Sequence, residues 1–210
     1  MKLTGVILAG GLNSRMGGNP KYLLPCGDEP LIGRQIKEMS RICEQLLVVT
    51  NTPERMAPVL KPYPGVSCIE DRYRQKGPLS GIHAASCAAA SPFMWIVGCD
   101  MPWISAEAAE AMARYGMAEN ADAVIPVIAG RTHPLHGIYA RSVNGPAENL
   151  LRQERYRVMG LLDALYCRRV DELFFEEKGI STGFAVNVNT PEDWIEMSGN
   201  LPRFTRWIEE

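Results

Sequence analysis

Short apolar runs recur along the chain, and segments with helical spacing separate them. The early runs contain no alternating polar residues, which is typical of strands that are covered on both faces. We expect strands at 6–9, 46–50, 66–69, 93–97, 121–127, 135–140 and 167–170. We expect helices at 31–42, 75–90, 106–115, 145–152 and 158–165, with a short one from Pro53.

This alternation predicts an α/β fold with three layers, in which helices cover both faces of a mainly parallel sheet. Ser105 can cap the helix that follows it, because its hydroxyl can accept from an early helical N–H group. A last strand from Ala185 is expected to run into a helix capped by Thr190. No internal repeat or linker divides the 210 residues, so we expect one domain over 1–210.

Composition narrows the possible partners. The net charge of −2 provides no basic field, so nucleic acid is not the expected partner. No apolar stretch approaches the roughly 20 residues of a membrane span, so no membrane segment is expected either. The 6 cysteines form no C-x-x-C pair, which disfavours a zinc site and a disulfide framework and fits a reducing cytoplasm.

Polar or glycine positions follow four consecutive predicted strands. Gly10-Gly11 follows the first strand, Asn51 the second, Asp71 the third and Asp100 the fourth. In open parallel sheets, ligands bind in the crevice beyond the carboxyl ends of the strands. One such residue is usually a turn or cap residue, but four together predict a ligand cleft at this edge.

The loop after the first strand has the chemistry of a polyphosphate cradle. Gly10 and Gly11 let an anion approach the main-chain N–H groups, while Ser14, Arg15 and Lys21 add a hydroxyl and two positive charges. The loop contains neither G-x-G-x-x-G nor G-x-x-x-x-G-K-[ST], which disfavours a dinucleotide dehydrogenase and a P-loop ATPase. It resembles instead the L-A-G-G-x-S-x-R-M-G-x-x-K signature of nucleotidyltransferases, with one extra residue before the serine.

Asp100 is the strongest catalytic candidate. Met101-Pro102 separates it from the next helix, which Ser105 already caps, so the carboxylate is expected to face the cleft. A carboxylate facing a triphosphate needs a cation between them, and Mg²⁺ suits because it takes one or two carboxylates plus phosphate oxygens. Three roles are open for Asp71, which are a second Mg²⁺ ligand, a contact to the base or ribose, and a solvated loop charge. Asn51 is a base or ribose contact or a turn residue.

The three histidines suggest neither a metal site nor a triad. His133 and His136 are close in sequence, but no other ligand-type residue stands with them, and His83 lies in an alanine-rich predicted helix. We expect each to be structural or partly exposed. Arg131 and His133 remain candidates for meeting a phosphate-bearing second substrate.

Several short motifs in this order resemble the molybdenum cofactor guanylyltransferase family. Each motif is weak alone, but together they span about nine-tenths of the chain. They are Leu8-Ala9-Gly10-Gly11, Lys21, Asn51, Glu70-Asp71, Gly77-Pro78-Leu79-Ser80-Gly81, Cys99-Asp100-Met101-Pro102, His133-Pro134-Leu135 and Asn187-Val188-Asn189-Thr190-Pro191.

The resemblance implies a Rossmann-like fold and transfer of GMP from GTP to molybdenum-bound molybdopterin, with Mg²⁺ on Asp100. In this interpretation Lys21, Arg15 and Asp100 serve catalysis, and the N-terminal part binds nucleotide while the C-terminal part binds the acceptor. The implied nucleotide contacts are Leu8, Ala9, Gly10, Gly11, Lys21, Asn51, Asp71 and Asp100. The implied acceptor contacts are Asn187 and Asn189, beside the candidate His133. Other cofactor-synthesis proteins or the acceptor apoenzyme are candidate partners.

Two departures from the family pattern leave the nucleotide base open. The glycine loop carries its extra residue, and Pro20 stands where the family usually has an acidic residue before the lysine. A cytidylyltransferase acting on molybdopterin or on a sugar or polyol phosphate is therefore the nearest alternative. A non-catalytic nucleotide or pterin carrier and a structural interaction protein are the alternatives from other classes.

Overall fold

The computed structural model describes residues 2–10, 20–26, 28–73, 76–188 and 193–194. Of the predicted site residues, Gly11, Ser14, Arg15 and Asn189 lie outside these ranges, as does the predicted cap Thr190. Within the described part, none of the helices combines the length and apolar character that crossing a bilayer requires.

The regular elements follow the predicted alternation. The strands are β1 (Leu3–Leu8), β2 (Pro25–Cys26), β3 (Glu29–Pro30), β4 (Gln45–Thr50), β5 (Val66–Glu70), β6 (Phe93–Gly98), β7 (Ala123–Ile128), β8 (Arg131–Thr132), β9 (His136–Ala140) and β10 (Cys167–Val170). The helices are α1 (Leu31–Met39), α2 (Pro53–Leu60), α3 (Pro78–Ala88), α4 (Ala106–Glu119), α5 (Asn144–Arg152), α6 (Val158–Asp163) and α7 (Glu172–Glu176). Among the described residues, short 3₁₀ helices cover Lys21–Leu23, Arg141–Val143 and Thr182–Ala185.

The main sheet has the strand order β10-β7-β9-β6-β1-β4-β5, with β8 paired to β7 outside this path. β1 runs parallel to both of its neighbours, and β4 runs parallel to β5. β9 is antiparallel to β6 and to β7, which the sequence pattern of 135–140 did not reveal. The prediction of a mainly parallel sheet is confirmed.

Helices cover both faces of the sheet and form two apolar layers. Along β1, Ile7 points to the layer that contains α1, α2 and α4, whereas Val6 points to the layer that contains α3, α5 and α6. Because successive strand residues face opposite sides, a run such as Val6-Ile7 is buried only when both sides are covered. This explains the continuous apolar runs and confirms the three-layer α/β/α prediction.

The C-terminal segment differs from its prediction. We expected a strand from Ala185, but Thr182–Ala185 forms a 3₁₀ helix, and the segment up to Val188 has no strand pairing. The Ser181 hydroxyl accepts from the Gly183 N–H group at 3.3 Å, which favours this turn over an extended chain. Strands β2, β3 and β8 and helix α7 were not among the predicted elements.

The order of the strands creates a crevice between β1 and β6. From β1 the chain continues to β4 on one side, whereas from β6 it continues toward β7 and β9 on the other side. The loops that leave β1 and β6 therefore diverge, and this is the point where α/β sheets bind ligands. The order of the strands therefore predicts a ligand site beside the chain segments that follow Leu8 and Gly98.

The cap of α4 provides a test of the fold. The Ser105 hydroxyl accepts from the Ala108 N–H group at 3.1 Å. We expect Ser105→Ala to lower the free energy of unfolding by about 1 kcal/mol, because one helix-terminal N–H group loses its partner. Ser105→Asp should stay close to the wild type, since a carboxylate also caps and favours the helix N-terminus. Urea denaturation measures both, and equal losses in the two variants would contradict the cap.

Candidate active site

The carboxyl ends of β1 and β6 are held together beyond the last strand residues. The Cys99 N–H group donates to the Leu8 carbonyl at 3.1 Å, and the Ala9 N–H group donates to the Val49 carbonyl at 2.8 Å. The sheet ladder therefore continues to the first residues of the loops. Gly10 is exposed directly after this point, so its main chain is accessible to a ligand.

Lys21 and Asp100 form an ion pair beside this crevice. The Lys21 Nζ lies 3.5 Å from the Asp100 Oδ2, and the two side chains are 16% and 23% exposed. The lysine comes from the 3₁₀ helix Lys21–Leu23, and the carboxylate comes from the turn after β6. A cation and a carboxylate are thus placed together, partly shielded from solvent, at the edge where the sequence predicted them.

Val188 joins both of these residues through its main chain. Its N–H group donates to the Asp100 carbonyl at 2.8 Å, and its own carbonyl accepts from the Lys21 Nζ at 2.9 Å. The Val188 side chain is fully buried in a small apolar cluster with Leu31 and Trp194. The sequence analysis placed Asn187 and Asn189 near a second substrate but missed the intervening valine. No sequence signal indicates a role that the main chain performs.

Gly98 leaves room for the Asp100 carboxylate. A Cβ atom at position 98 would lie 2.6 Å from the Asp100 Oδ1, closer than real Cβ contacts allow. The Met101 N–H group also donates to the Gly98 carbonyl at 3.3 Å, which closes a tight turn. The carboxylate therefore folds back over the end of β6 and does not extend along the chain direction.

Asn51 faces Gly10 across the ends of β1 and β4. Its Nδ2 atom would lie 3.2 Å from a Cβ atom at position 10. Its Oδ1 atom is buried and has no hydrogen-bond partner among the described residues. An amide with one buried acceptor open, beside a glycine main chain, has the donor and acceptor groups that recognise a nucleoside.

Asp71 is buried, which excludes the solvated loop charge considered for it. Its Oδ2 accepts a short hydrogen bond from the Ser80 hydroxyl, and its Oδ1 accepts from the Tyr73 N–H group at 2.9 Å. The carboxylate thereby links the end of β5 to the first turn of α3. The order β6-β1-β4-β5 puts three strand spacings, roughly 14 Å, between the ends of β6 and β5. Asp71 and Asp100 are thus too far apart to bind one Mg²⁺.

His133 and Asn187 belong to segments that bond to the end of β6 and to Asp100. His133 belongs to the turn before β9, where the Gly98 N–H group donates to the Leu135 carbonyl at 3.1 Å. Burial and the nearby Arg131 charge lower the pKa of His133. Asn187 is exposed and precedes Val188, which contacts Lys21 and Asp100. Main-chain bonds therefore connect the neighbours of both residues to the turn that carries Asp100, Leu135 to Gly98 and Val188 to Asp100 itself.

The other polar groups near the site are not suited to covalent or general-base catalysis. Burial raises the pKa of the Cys99 thiol to about 12, so the thiolate nucleophile is not formed at neutral pH. Burial lowers the pKa of His136 to about 3, and this ring stacks on Phe184 with 4.4 Å between centroids. His83 is buried in α3 against Tyr73. The described site relies on charge and positioning.

The metal-binding side chains at the crevice suit a magnesium ion that is carried by a nucleotide. The Asp100 carboxylate is partly exposed at the crevice, and no group of three or more acidic, histidine or cysteine side chains in the described ranges could enclose a metal. Mg²⁺ keeps waters and phosphate oxygens and needs only one or two protein carboxylates. The residues present suit that arrangement better than an all-protein metal cage.

A mainly parallel α/β/α sheet with a glycine, a lysine and a carboxylate at its switch point is typical of nucleotidyltransferases with a Rossmann-like fold. The family described as MobA-like NTP transferase domain matches residues 5–169, and the chain belongs to this family. The family and the fold class expected from the sequence are confirmed.

Relatives match nearly the whole chain. The probable molybdenum cofactor guanylyltransferase of Halalkalibacterium halodurans is 34% identical over 198 residues, covering 91% of this chain and 96% of the relative. The protein of the same name from Carboxydothermus hydrogenoformans is 32% identical over 195 residues, covering 93% and 94%. The crystal structure of molybdopterin-guanine dinucleotide biosynthesis protein A from Archaeoglobus fulgidus superposes with a TM-score of 0.79 at 23% identity, covering 93% and 96%.

The buried His136 predicts a pH-dependent stability. Its pKa is lowered from 6.5 to about 3, so below pH 6.5 the unfolded chain binds a proton that the folded chain does not. The free energy of unfolding should therefore fall as the pH drops, by about 1.4 kcal/mol per pH unit for this group. His136→Gln retains an acceptor for the Ser105 N–H group, which donates to the His136 Nε2 at 3.2 Å.

We expect the stability advantage of the wild type over His136→Gln to be about 2 kcal/mol smaller at pH 5 than at pH 7. Denaturant titrations at the two pH values measure this difference. The comparison with the variant removes the contributions of His83 and His133, which are present in both proteins. An advantage that does not change with pH would rule out a buried neutral imidazole.

Proposed function

We propose that this chain transfers GMP from GTP to molybdenum-bound molybdopterin, forming the guanine dinucleotide cofactor and pyrophosphate. The observation that carries the reaction is the Lys21–Asp100 pair at the crevice between β1 and β6. The relatives named molybdenum cofactor guanylyltransferase, at 32–34% identity over more than nine-tenths of the chain, support the substrates.

In this proposal the nucleotide lies across the ends of β1, β4 and β5. The main chain at Leu8, Ala9 and Gly10, continuing to Gly11, contacts the phosphates, because glycine leaves the N–H groups accessible. The open acceptor of Asn51 receives a donor from the ribose or base. Ser80 and the Tyr73 N–H group hold the Asp71 carboxylate in the wall of the nucleoside site, and the remaining lone pairs of its oxygens can accept from the nucleotide.

The chemical step is an in-line displacement at the α-phosphorus. A phosphate oxygen of the acceptor forms the new bond, and the bond to the β-phosphate oxygen breaks, so the electron pair leaves with pyrophosphate. The attacking oxygen is already ionised at neutral pH, which fits a site in which buried His136 and Cys99 can supply neither a base nor a nucleophile. Lys21 and Arg15 stabilise the charge on the leaving group.

Asp100 is the residue proposed to hold Mg²⁺. The ion, when bound, polarises the phosphoryl group as a Lewis acid and neutralises phosphate charge. The protein's contribution is the orientation of the carboxylate, which Gly98 permits by having no side chain. Lys21, 3.5 Å away, prevents an unbalanced negative charge from facing the triphosphate.

The acceptor is proposed to contact His133, Asn187 and Asn189. This division gives one domain over 1–210, with a nucleotide-binding N-terminal part and an acceptor-binding C-terminal part. Val188 links the two parts, because its main chain bonds to both Lys21 and Asp100. We propose that the enzyme is cytoplasmic. Its candidate partners are other proteins of molybdenum cofactor synthesis and the apoenzyme that accepts the finished dinucleotide cofactor.

Cytidylyl transfer is the second candidate. It is favoured by Pro20, which stands where the guanylyl-transferring family usually has an acidic residue before the lysine. The reaction and the residue roles would be the same, and only the base would differ.

Calorimetric titration of the purified protein with GTP, CTP, ATP and UTP, each with Mg²⁺, tests the function. We expect GTP to bind most tightly, and we expect pyrophosphate release only when molybdenum-bound molybdopterin is added. Preference for CTP in both binding and turnover would overturn the guanylyl assignment and support the second candidate. Binding of none of the four by folded protein would overturn both.

We expect Asp100→Asn to abolish transfer while the fold is retained, because the amide keeps the shape but loses the charge that holds the metal. Asp122→Asn is the matched control: Asp122 precedes β7 at the opposite edge of the sheet, where its Oδ2 accepts from the Tyr166 N–H group at 3.0 Å. Steady-state pyrophosphate release measures both. Substantial turnover in Asp100→Asn would remove Asp100 from the metal site.

A further inference from the structure

Helix α1 directs one amide side chain into the protein interior. Gln35 is fully buried, as are the apolar side chains on the same face of the helix, which are Leu31, Ile32, Ile36 and Met39. A fully buried glutamine is uncommon and is normally found where both of its polar atoms have partners. Its surroundings therefore need a specific explanation.

The amide nitrogen of Gln35 spans the turn that carries Asp100. Its Nε2 donates to the Gly98 carbonyl and to the Met101 carbonyl, both at 2.8 Å. The –NH₂ group has two hydrogens, so these two bonds use its full donor capacity. The two carbonyls lie on either side of Asp100, and Gln35 thereby fixes both ends of the turn.

The other amide atom makes no comparable contact. The Oε1 of Gln35 is buried and has no hydrogen-bond partner among the described residues. A buried acceptor without a partner opposes folding. The side chain is therefore poorly explained by general stabilisation and well explained by what its two N–H groups hold.

The turn geometry determines where the Asp100 carboxylate lies. A Cβ atom at Gly98 would lie only 2.6 Å from the Oδ1, so the carboxylate occupies the space that a side chain at position 98 would fill. The Oδ2 faces the Lys21 Nζ at 3.5 Å. A change in the position of the turn therefore alters the ion pair directly.

We propose that Gln35 is a positioning residue for nucleotidyl transfer, which holds the Asp100 carboxylate in its working orientation through the Gly98 and Met101 carbonyls. The inference rests on the proposed function of Asp100. Gln35 contacts neither substrate nor metal and acts only through the turn. Substitutions that remove its N–H groups should affect metal use and kcat more than nucleotide affinity.

The test compares Gln35→Met with the same substitution at Gln45. Methionine is unbranched and close in length to glutamine, so it fills the space without donating. Gln45 also makes side-chain bonds to main chain, accepting from the Ala90 N–H group at 2.7 Å, but it lies at the start of β4, away from the site. Loss of a supporting bond of this kind typically costs about 10- to 100-fold in metal affinity or activity.

We expect Gln35→Met to lower kcat about 10- to 100-fold and to raise the Mg²⁺ concentration for half-maximal rate by a similar factor, with KM for GTP changed less than threefold. Gln45→Met should match the wild type in all three quantities. Gln35→Leu is the second variant, because it removes both N–H donors and leaves an apolar side chain of similar size. It should show the same pattern.

Calorimetric titration of Mg²⁺ into protein saturated with a non-hydrolysable GTP analogue provides a readout that does not depend on turnover. Weaker Mg²⁺ binding in both Gln35 variants, but not in Gln45→Met, supports the positioning role. If the wild type nevertheless transfers no GMP, the proposed function is wrong and the positioning role still stands. If the wild type transfers GMP and the Gln35 variants behave like Gln45→Met in both readouts, the positioning role fails alone. Unfolding of both Gln35 variants, with Gln45→Met folded, would make Gln35 a structural residue and overturn the proposal.

Discussion

The ion pair between Lys21 and Asp100 is the contact on which the rest of the site depends. It joins positions 79 residues apart, so the turn after β6 and the 3₁₀ helix Lys21–Leu23 must be held in one place at the same time. A polyphosphate repels a bare carboxylate, and a lysine beside it makes the edge of the sheet acceptable to both a metal ion and an anion. The main chain of Val188 bonds to both residues of the pair, and the side chain of Gln35 bonds to the turn that carries Asp100.

Much of the fold followed from local patterns because the physical causes were local. Uninterrupted apolar runs marked strands covered on both faces, and the glycine or polar residue after each run marked the carboxyl end. The amino-acid pattern alone therefore places Gly10, Asn51, Asp71 and Asp100 at one edge of the sheet. The burial of Asp71 could not be predicted, since it depends on Ser80 reaching back from α3. The antiparallel direction of β9 depends on its neighbours β6 and β7 and likewise leaves no local pattern.

Two features differ in how far the sequence could have revealed them. Gln35 occupies a helical position four residues after Leu31 and four before Met39, so it is a polar residue within an apolar stripe, and that signal was available. Val188 acts through main-chain groups that every residue except proline possesses, and its identity carries no signal beyond its apolar side chain. The 3₁₀ helix Thr182–Ala185 depends on a side-chain to main-chain bond that competes with extension. Roles that depend on composition within an element can be predicted, whereas roles of the main chain between distant elements cannot.

The bond between Lys21 and the Val188 carbonyl also has a consequence during synthesis of the protein on the ribosome. It spans 167 positions, so a chain emerging from the ribosome carries the lysine long before the carbonyl that fixes it. At a synthesis rate of about 5–20 residues per second, the interval is roughly 8–30 s. During that time Lys21 lacks the Val188 carbonyl as a hydrogen-bond acceptor. A chain that ends before Val188 therefore cannot form the complete site. Assembly of the site therefore requires that the chain has been synthesised at least as far as Val188.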